Sequence, residues 1–120
     1  MRVIFLPEVQ EYLDNLIPIL YEKGYFSFVD TAIKYVDGLV DDIQNNLTIR
    51  PHKRAPDRYK KYGDDIHYAS FRKNKRTTWY AFFTKYEEDG EIIYLIRYIG
   101  NNHTEAHHLY EGWIENCPKG

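Results

Sequence analysis

At 120 residues, the chain has the length of one domain with one core, and 43% hydrophobic and 17% aromatic residues, with twelve tyrosines, exclude a disordered segment. No run approaches the ~18 apolar residues of a membrane span, and the opening MRVIFLPEVQ meets a proline and a charge too early for a secretory leader. The net charge of −2 hides an uneven distribution: residues 1–49 carry three Lys/Arg against eight Asp/Glu, residues 50–76 ten against three, and residues 77–120 three against seven.

In chain order, VIFL (3–6) is a β-branched and aromatic run that reads as a strand. Pro7 suits the first position of a helix. Val9, Leu13, Leu16, Ile17 and Leu20 then recur at helical spacing, with Pro18 expected to kink or split the helix near Leu16 and Gly24 to close it. Ser27 and Asp30 resemble a capping box for a second helix. Its stripe is Val29, Ile33, Val36, Val40, Ile43 and Leu47, and Asn45–Asn46 mark its end. TIRPHKRAPDRYKKYGDD (48–65) has no period and reads as a basic loop. Three strand-like runs follow, at 66–73, 76–86 and 91–100. Asn74 and its lysine neighbours make the first turn, and Asp89-Gly90 is a two-residue hairpin signal. Asn102, with Glu105 three residues on, is expected to cap a short helix from about His103 to Gly112.

The expected architecture is α+β. A small antiparallel sheet in β-α-α-β-β-β-α order carries two N-terminal helices on one face, forming a single domain over 1–112 with a tail over 113–120. The lone Cys117 permits no internal disulfide, which points to a cytoplasmic location.

Several residues carry chemistry. His103 and His107 are spaced i, i+4, a spacing that can bind zinc. No partner pair of Cys or His appears elsewhere, and no metal or cofactor is expected. The start of that helix offers backbone N–H groups to an anion. The same field disfavours an imidazolium, which suits His103 to a base's role. Arg97, inside IIYLIRYIG, is hard to place in a fully buried core and is expected either on the open face of the sheet or salt-bridged at its edge. FRKNKR (71–76) gathers Arg72, Lys73, Lys75 and Arg76 around one turn. With Arg54 and Arg58 these form a candidate nucleic-acid surface, because phosphate affinity comes from clustered cations. Tyr68, Tyr80, Tyr94 and Tyr98 fall on the strands, where they can stack on bases or serve as core and cross-strand pairs. Tyr80, beside Trp79, leans to the core. No Gly-rich phosphate loop is present. The adjacent carboxylates Asp41-Asp42, Asp64-Asp65 and Glu87-Glu88 read as solvated faces.

The order of elements, with RVIFLPEVQEYL, IHYASFRKNKRTTWYAFF and GEIIYLIRYIGNNHTEA, resembles the RelE/ParE superfamily of type II toxin–antitoxin toxins over about residues 1–110. That resemblance implies a toxin neutralised by a cognate antitoxin. Its endonuclease members cleave mRNA without a metal, many on the ribosome, and use the ribose 2′-hydroxyl as nucleophile. Its gyrase-poisoning members share the fold but not the nuclease residues, and an inert antitoxin-binding homologue is a third reading. Arg72, in YASFR, matches an arginine common in the family. Arg76 lies one residue before another such position, which Thr77 occupies. Two lysines of some nucleases fall at Tyr68 and Ser70. Asn102 or His103 falls where a C-terminal catalytic group stands, and His108 near a tyrosine some members use. The mechanism implied has His103 as base, with Arg72 and Arg97, assisted by Lys73 or Arg76, stabilising charge on the phosphate.

Overall fold

Arg2–Phe5 forms β1, an edge strand that lies parallel to the last strand, beside an antiparallel meander. The computed structural model describes residues 2–24, 26–105 and 109. β1 leads into α1 (Pro7–Glu22) and α2 (Val29–Asn46), and a 3-10 turn (Leu47–Ile49) precedes the two-residue β2 (Lys53–Arg54). A 3-10 helix (Asp57–Tyr62) follows, then β3 (His67–Arg72), β4 (Thr78–Glu88) and β5 (Glu91–Asn101). The five strands form one sheet in the order β1-β5-β4-β3-β2. The fold is α+β as expected, but the sheet is mixed. Parallel neighbours need a long connection, here the whole chain from α1 to β4, and a local pattern of strands does not reveal that pairing.

α1 begins with Pro7 at its first turn and runs through Pro18 without splitting. Pro18 and Asp14, whose carbonyl loses its partner to the ring, are both exposed, so the gap lies on the water side. Val9, Leu13 and Leu16 face inward. The buried stripe of α2 is Ala32, Val36, Leu39 and Ile43; Val36, Ile43 and, just beyond the helix, Leu47 belong to the expected stripe, whereas its first members Val29 and Ile33 face outward. Ile33 is 38% exposed, whereas Ala32 and Leu39 are fully covered. Phe28 stands at the N-cap with no side-chain cap bond, so Ser27 and Asp30 form no capping box.

The helices cover one sheet face over Phe71, Trp79, Phe83, Tyr94, Ile96 and Ile99. Trp79 Nε1 donates to the Tyr35 hydroxyl at 2.8 Å, tying β4 to α2. His52 fills the same side, with its ring 4.8 Å from Phe83 and its Nε2 2.7 Å from the Leu47 carbonyl. At the β4–β5 turn, Asp89 (φ 52°) and Gly90 (φ 77°) both take positive φ, the conformation a type I′ hairpin demands.

The opposite face is also covered. The 3-10 helix folds beneath it and builds a second core of Tyr59, Ile66, Tyr80, Phe82 and Leu109. Tyr59 stacks on Phe82 at 4.4 Å and Tyr62 on Tyr98 at 4.5 Å. The segment expected to be a basic loop therefore packs against this face of the sheet.

Candidate functional site

The β3–β4 turn is held by its own backbone. Lys73 N–H and Asn74 N–H both donate to the Thr77 carbonyl, and Arg76 N–H donates to Asn74 Oδ1 at 2.9 Å. Arg72, Lys75 and Arg76 are exposed around it, with Arg72 Nε donating to the Asn74 carbonyl at 3.2 Å. Lys73 turns to the helix side, where its Nζ lies 5.6 Å over the Tyr35 ring and close to Gly38. It therefore leaves the cluster.

β5 ends beside this turn. Asn101, one residue earlier than expected, caps the helical start at 102. Its Oδ1 accepts from His103 N–H at 2.9 Å and from Thr104 N–H at 3.2 Å, and Thr104 Oγ1 donates back to the Asn101 carbonyl. Asn102 instead clamps β5 to the hairpin. Its Oδ1 accepts from Thr78 N–H at 3.0 Å, and its Nδ2 donates to the Arg76 carbonyl at 2.9 Å. His103 is exposed and follows directly on this clamp. Arg72, Lys75, Arg76 and His103 thus share one end of the sheet, a convergence that the spacing of twenty-seven residues between Arg76 and His103 conceals.

Arg97 is elsewhere. In the β4–β5 ladder Phe82 pairs with Tyr98 and Phe83 with Ile96, so Arg97 is the extra residue of a β-bulge. The bulge restores Ile96 and Ile99 to the helix face and sends Arg97 and Tyr98 together to the other. Arg97 Nε donates to Thr84 Oγ1 at 2.9 Å, one terminal nitrogen donates to the Tyr62 carbonyl at 3.3 Å, and the other donates to the Tyr86 hydroxyl. Gly63, at φ 147°, lies against the guanidinium; a Cβ there would sit 3.2 Å from Arg97 Cδ and Nε. Along β4, Thr84, which Arg97 bonds, lies six strand residues from Thr78, which pairs with Arg72 and is clamped by Asn102, a distance on the order of 20 Å. The structure therefore does not join Arg97 to Arg72 and His103. Arg54 also lies toward that far end: it pairs with His67, which pairs with Phe83. Arg58 is exposed on the 3-10 helix.

The strand tyrosines form no stacking platform. Tyr80 and Tyr94 are buried, Tyr68 packs against Tyr80 and Phe82, and Tyr98 is stacked under Tyr62. Sequence reasoning missed the group that organises this face. Glu105, 6% exposed, turns inward and accepts from the Tyr59 and Tyr98 hydroxyls, each at 2.9 Å. Burial, followed by the hydrogen bond to Glu105 and its charge, pushes both phenols well above their ordinary value. Gly100 makes room for this carboxylate, because a Cβ there would stand 2.5 Å from Glu105 Cγ. The signal in the sequence was the Gly100 to Glu105 spacing alone, which a capping-box reading absorbed.

Among the described residues no group of His, Cys, Asp and Glu could hold a metal ion. The zinc reading also needed His107, which, with His108, Cys117 and the tail 113–120, lies outside the described residues. No described helix is long and apolar enough to cross a membrane. Comparisons with protein-family models, curated proteins and solved structures find no match for this chain.

Proposed function

We propose that the chain is a toxin of the RelE/ParE type that cleaves RNA without a metal, working at the end of the sheet where β5 meets the β3–β4 hairpin. The observation that carries this reading is the Asn102 clamp. It sets His103 beside a hairpin bearing Arg72, Lys75 and Arg76 with their side chains exposed. Those are the parts a 2′-hydroxyl transesterification needs: a group to take a proton and fixed cations to meet developing charge. His103 takes the 2′-hydroxyl proton and the 2′-oxygen bonds to phosphorus. Arg72 and Arg76 neutralise the phosphorane, and the P–O5′ bond breaks as the 5′-oxygen takes a proton from Lys75. The products are a 2′,3′-cyclic phosphate and a 5′-hydroxyl. Arg97 has no part in this step. A cognate antitoxin would neutralise the toxin, and mRNA, free or on the ribosome, is the substrate class.

One observation favours a second reading, a non-catalytic toxin that binds a protein target such as gyrase. The sheet face that would receive unstacked bases is filled by Tyr59, Tyr62 and Phe82. Inducible expression of the chain alone separates the two. Cleavage predicts growth arrest with new, discrete RNA 5′ ends that disappear in a His103→Ala variant. Arrest with intact RNA and altered plasmid supercoiling would replace it with the second reading.

A further inference from the structure

Arg97 is the half-buried cation that the proposed RNA rim leaves unused. A guanidinium has five N–H groups. Three of them go to neutral acceptors on Thr84, Tyr62 and Tyr86, which leaves one on each terminal nitrogen. No carboxylate among the described residues pairs with it. A partly desolvated cation with no carboxylate in ion-pair contact favours an anion that can reach its remaining N–H groups, and a carboxylate can accept from both.

Two clefts meet at this side chain. One, of about 500 Å³, is lined by Asp64 and Asp65 beside Lys85, so its acids oppose an anion. The other, of about 410 Å³, runs from Arg97 and Lys61 toward the start of α1, with Leu6, Val9, Tyr12 and Ile99 as walls. Its size and its apolar walls around a few polar groups are those of a small-molecule site. Lys61 Nζ is held 5.2 Å over the Tyr62 ring. Glu8 is the acid that lines this cleft, opposite the cations Arg97 and Lys61, while Glu105 is buried behind its Tyr98 wall. Partial burial, then the nearby charge of Glu105, holds the Tyr12 phenol above its ordinary value, so it enters the cleft as a donor.

We propose that this cleft binds a small organic monocarboxylate, with its head on Arg97 and Lys61 and an apolar body against Leu6, Val9 and Tyr12. Glu8 sets the preference for one negative charge over two. The site is separate from the hairpin rim and stands whether or not the chain cleaves RNA.

An NMR titration of the full chain with naphthoate tests this, with naphthyl methanol as the neutral probe of the same body. The expected result is saturable shifts at residues 6–12, 61–63 and 97–99, with the alcohol weaker by about tenfold or more. Glu8→Gln tightens binding and Lys61→Gln weakens it. Both residues are exposed, so neither test depends on the fold surviving a change at Arg97. Equal binding of acid and alcohol, shifts confined to other residues, no saturable shift, or indifference to both substitutions would each overturn the proposal. So would displacement of naphthoate by a short single-stranded RNA that shifts the same amides, because the cleft would then belong to the RNA site.

Discussion

Glu105 is a buried carboxylate held by two phenols, and its effect on stability has a definite sign. Tyr59 and Tyr98 are raised in the folded chain above the 10.0 of an ordinary tyrosine, first by burial and then by Glu105. The folded form therefore keeps two protons that the unfolded form releases near pH 10. This stabilisation is complete below about pH 10 and drains away as the pH rises beyond it. Tyrosinate absorbance checks the point. Tyr59 and Tyr98 should resist ionisation until the chain unfolds and Tyr12 should ionise later than a free phenol, while Tyr86, lowered by its bonds to Thr84 and Arg97, ionises early. In Tyr59→Phe the resistant set should shrink by one. Gly63 supplies a second expectation at this scale. Its φ of 147° is closed to side chains, and a Cβ would press on Arg97. Gly63→Ala should cost roughly 1–3 kcal/mol, read as a lower urea midpoint.

Helices and hairpins were legible where one local pattern decided them. The apolar spacing of Val9, Leu13 and Leu16 and the Asp89-Gly90 turn are of this kind. α2 was harder, because its sequence offers two apolar stripes, and only packing chooses between them. The packed side includes Ala32 and Leu39, both fully covered, and Leu39 belongs to the core against the sheet. Leu39→Ala should therefore cost about 2–5 kcal/mol in equilibrium denaturation. Ile33→Ala, on the half-solvated side, should cost well under half of that. The β5 bulge was legible only in hindsight. Ile96 and Ile99 both face the helices, which a strict two-residue alternation forbids, so an extra residue must lie between them. That same extra residue displaces Arg97 from the catalytic set that its position in the strand suggested.

At the scale of the whole molecule, the sheet is covered on both faces, by α1 and α2 on one and by the 3-10 helix and the Glu105 region on the other. Function must then lie at its ends and clefts. The positive excess of residues 50–76 divides accordingly: the hairpin cations stand at one end, Lys61 lines a cleft with Arg97, and Arg54 lies on the opposite edge strand. Sequence could count those cations but not divide them, because the register that separates them is a long-range property of the sheet. The same limit applied to β1, whose parallel partner ninety residues away leaves no local trace.

The most direct measurement of the central claim is cleavage of a defined mRNA by purified protein, with and without ribosomes and with a metal chelator present. Wild type is compared with folded His103→Ala, Arg76→Ala and Arg97→Gln variants. Discrete cuts ending in a 2′,3′-cyclic phosphate are expected, persisting in chelator and surviving Arg97→Gln. They should fall by about a hundredfold or more when His103 or Arg76 is removed. Cuts that persist unchanged without His103, or no cuts under any condition, would contradict the claim.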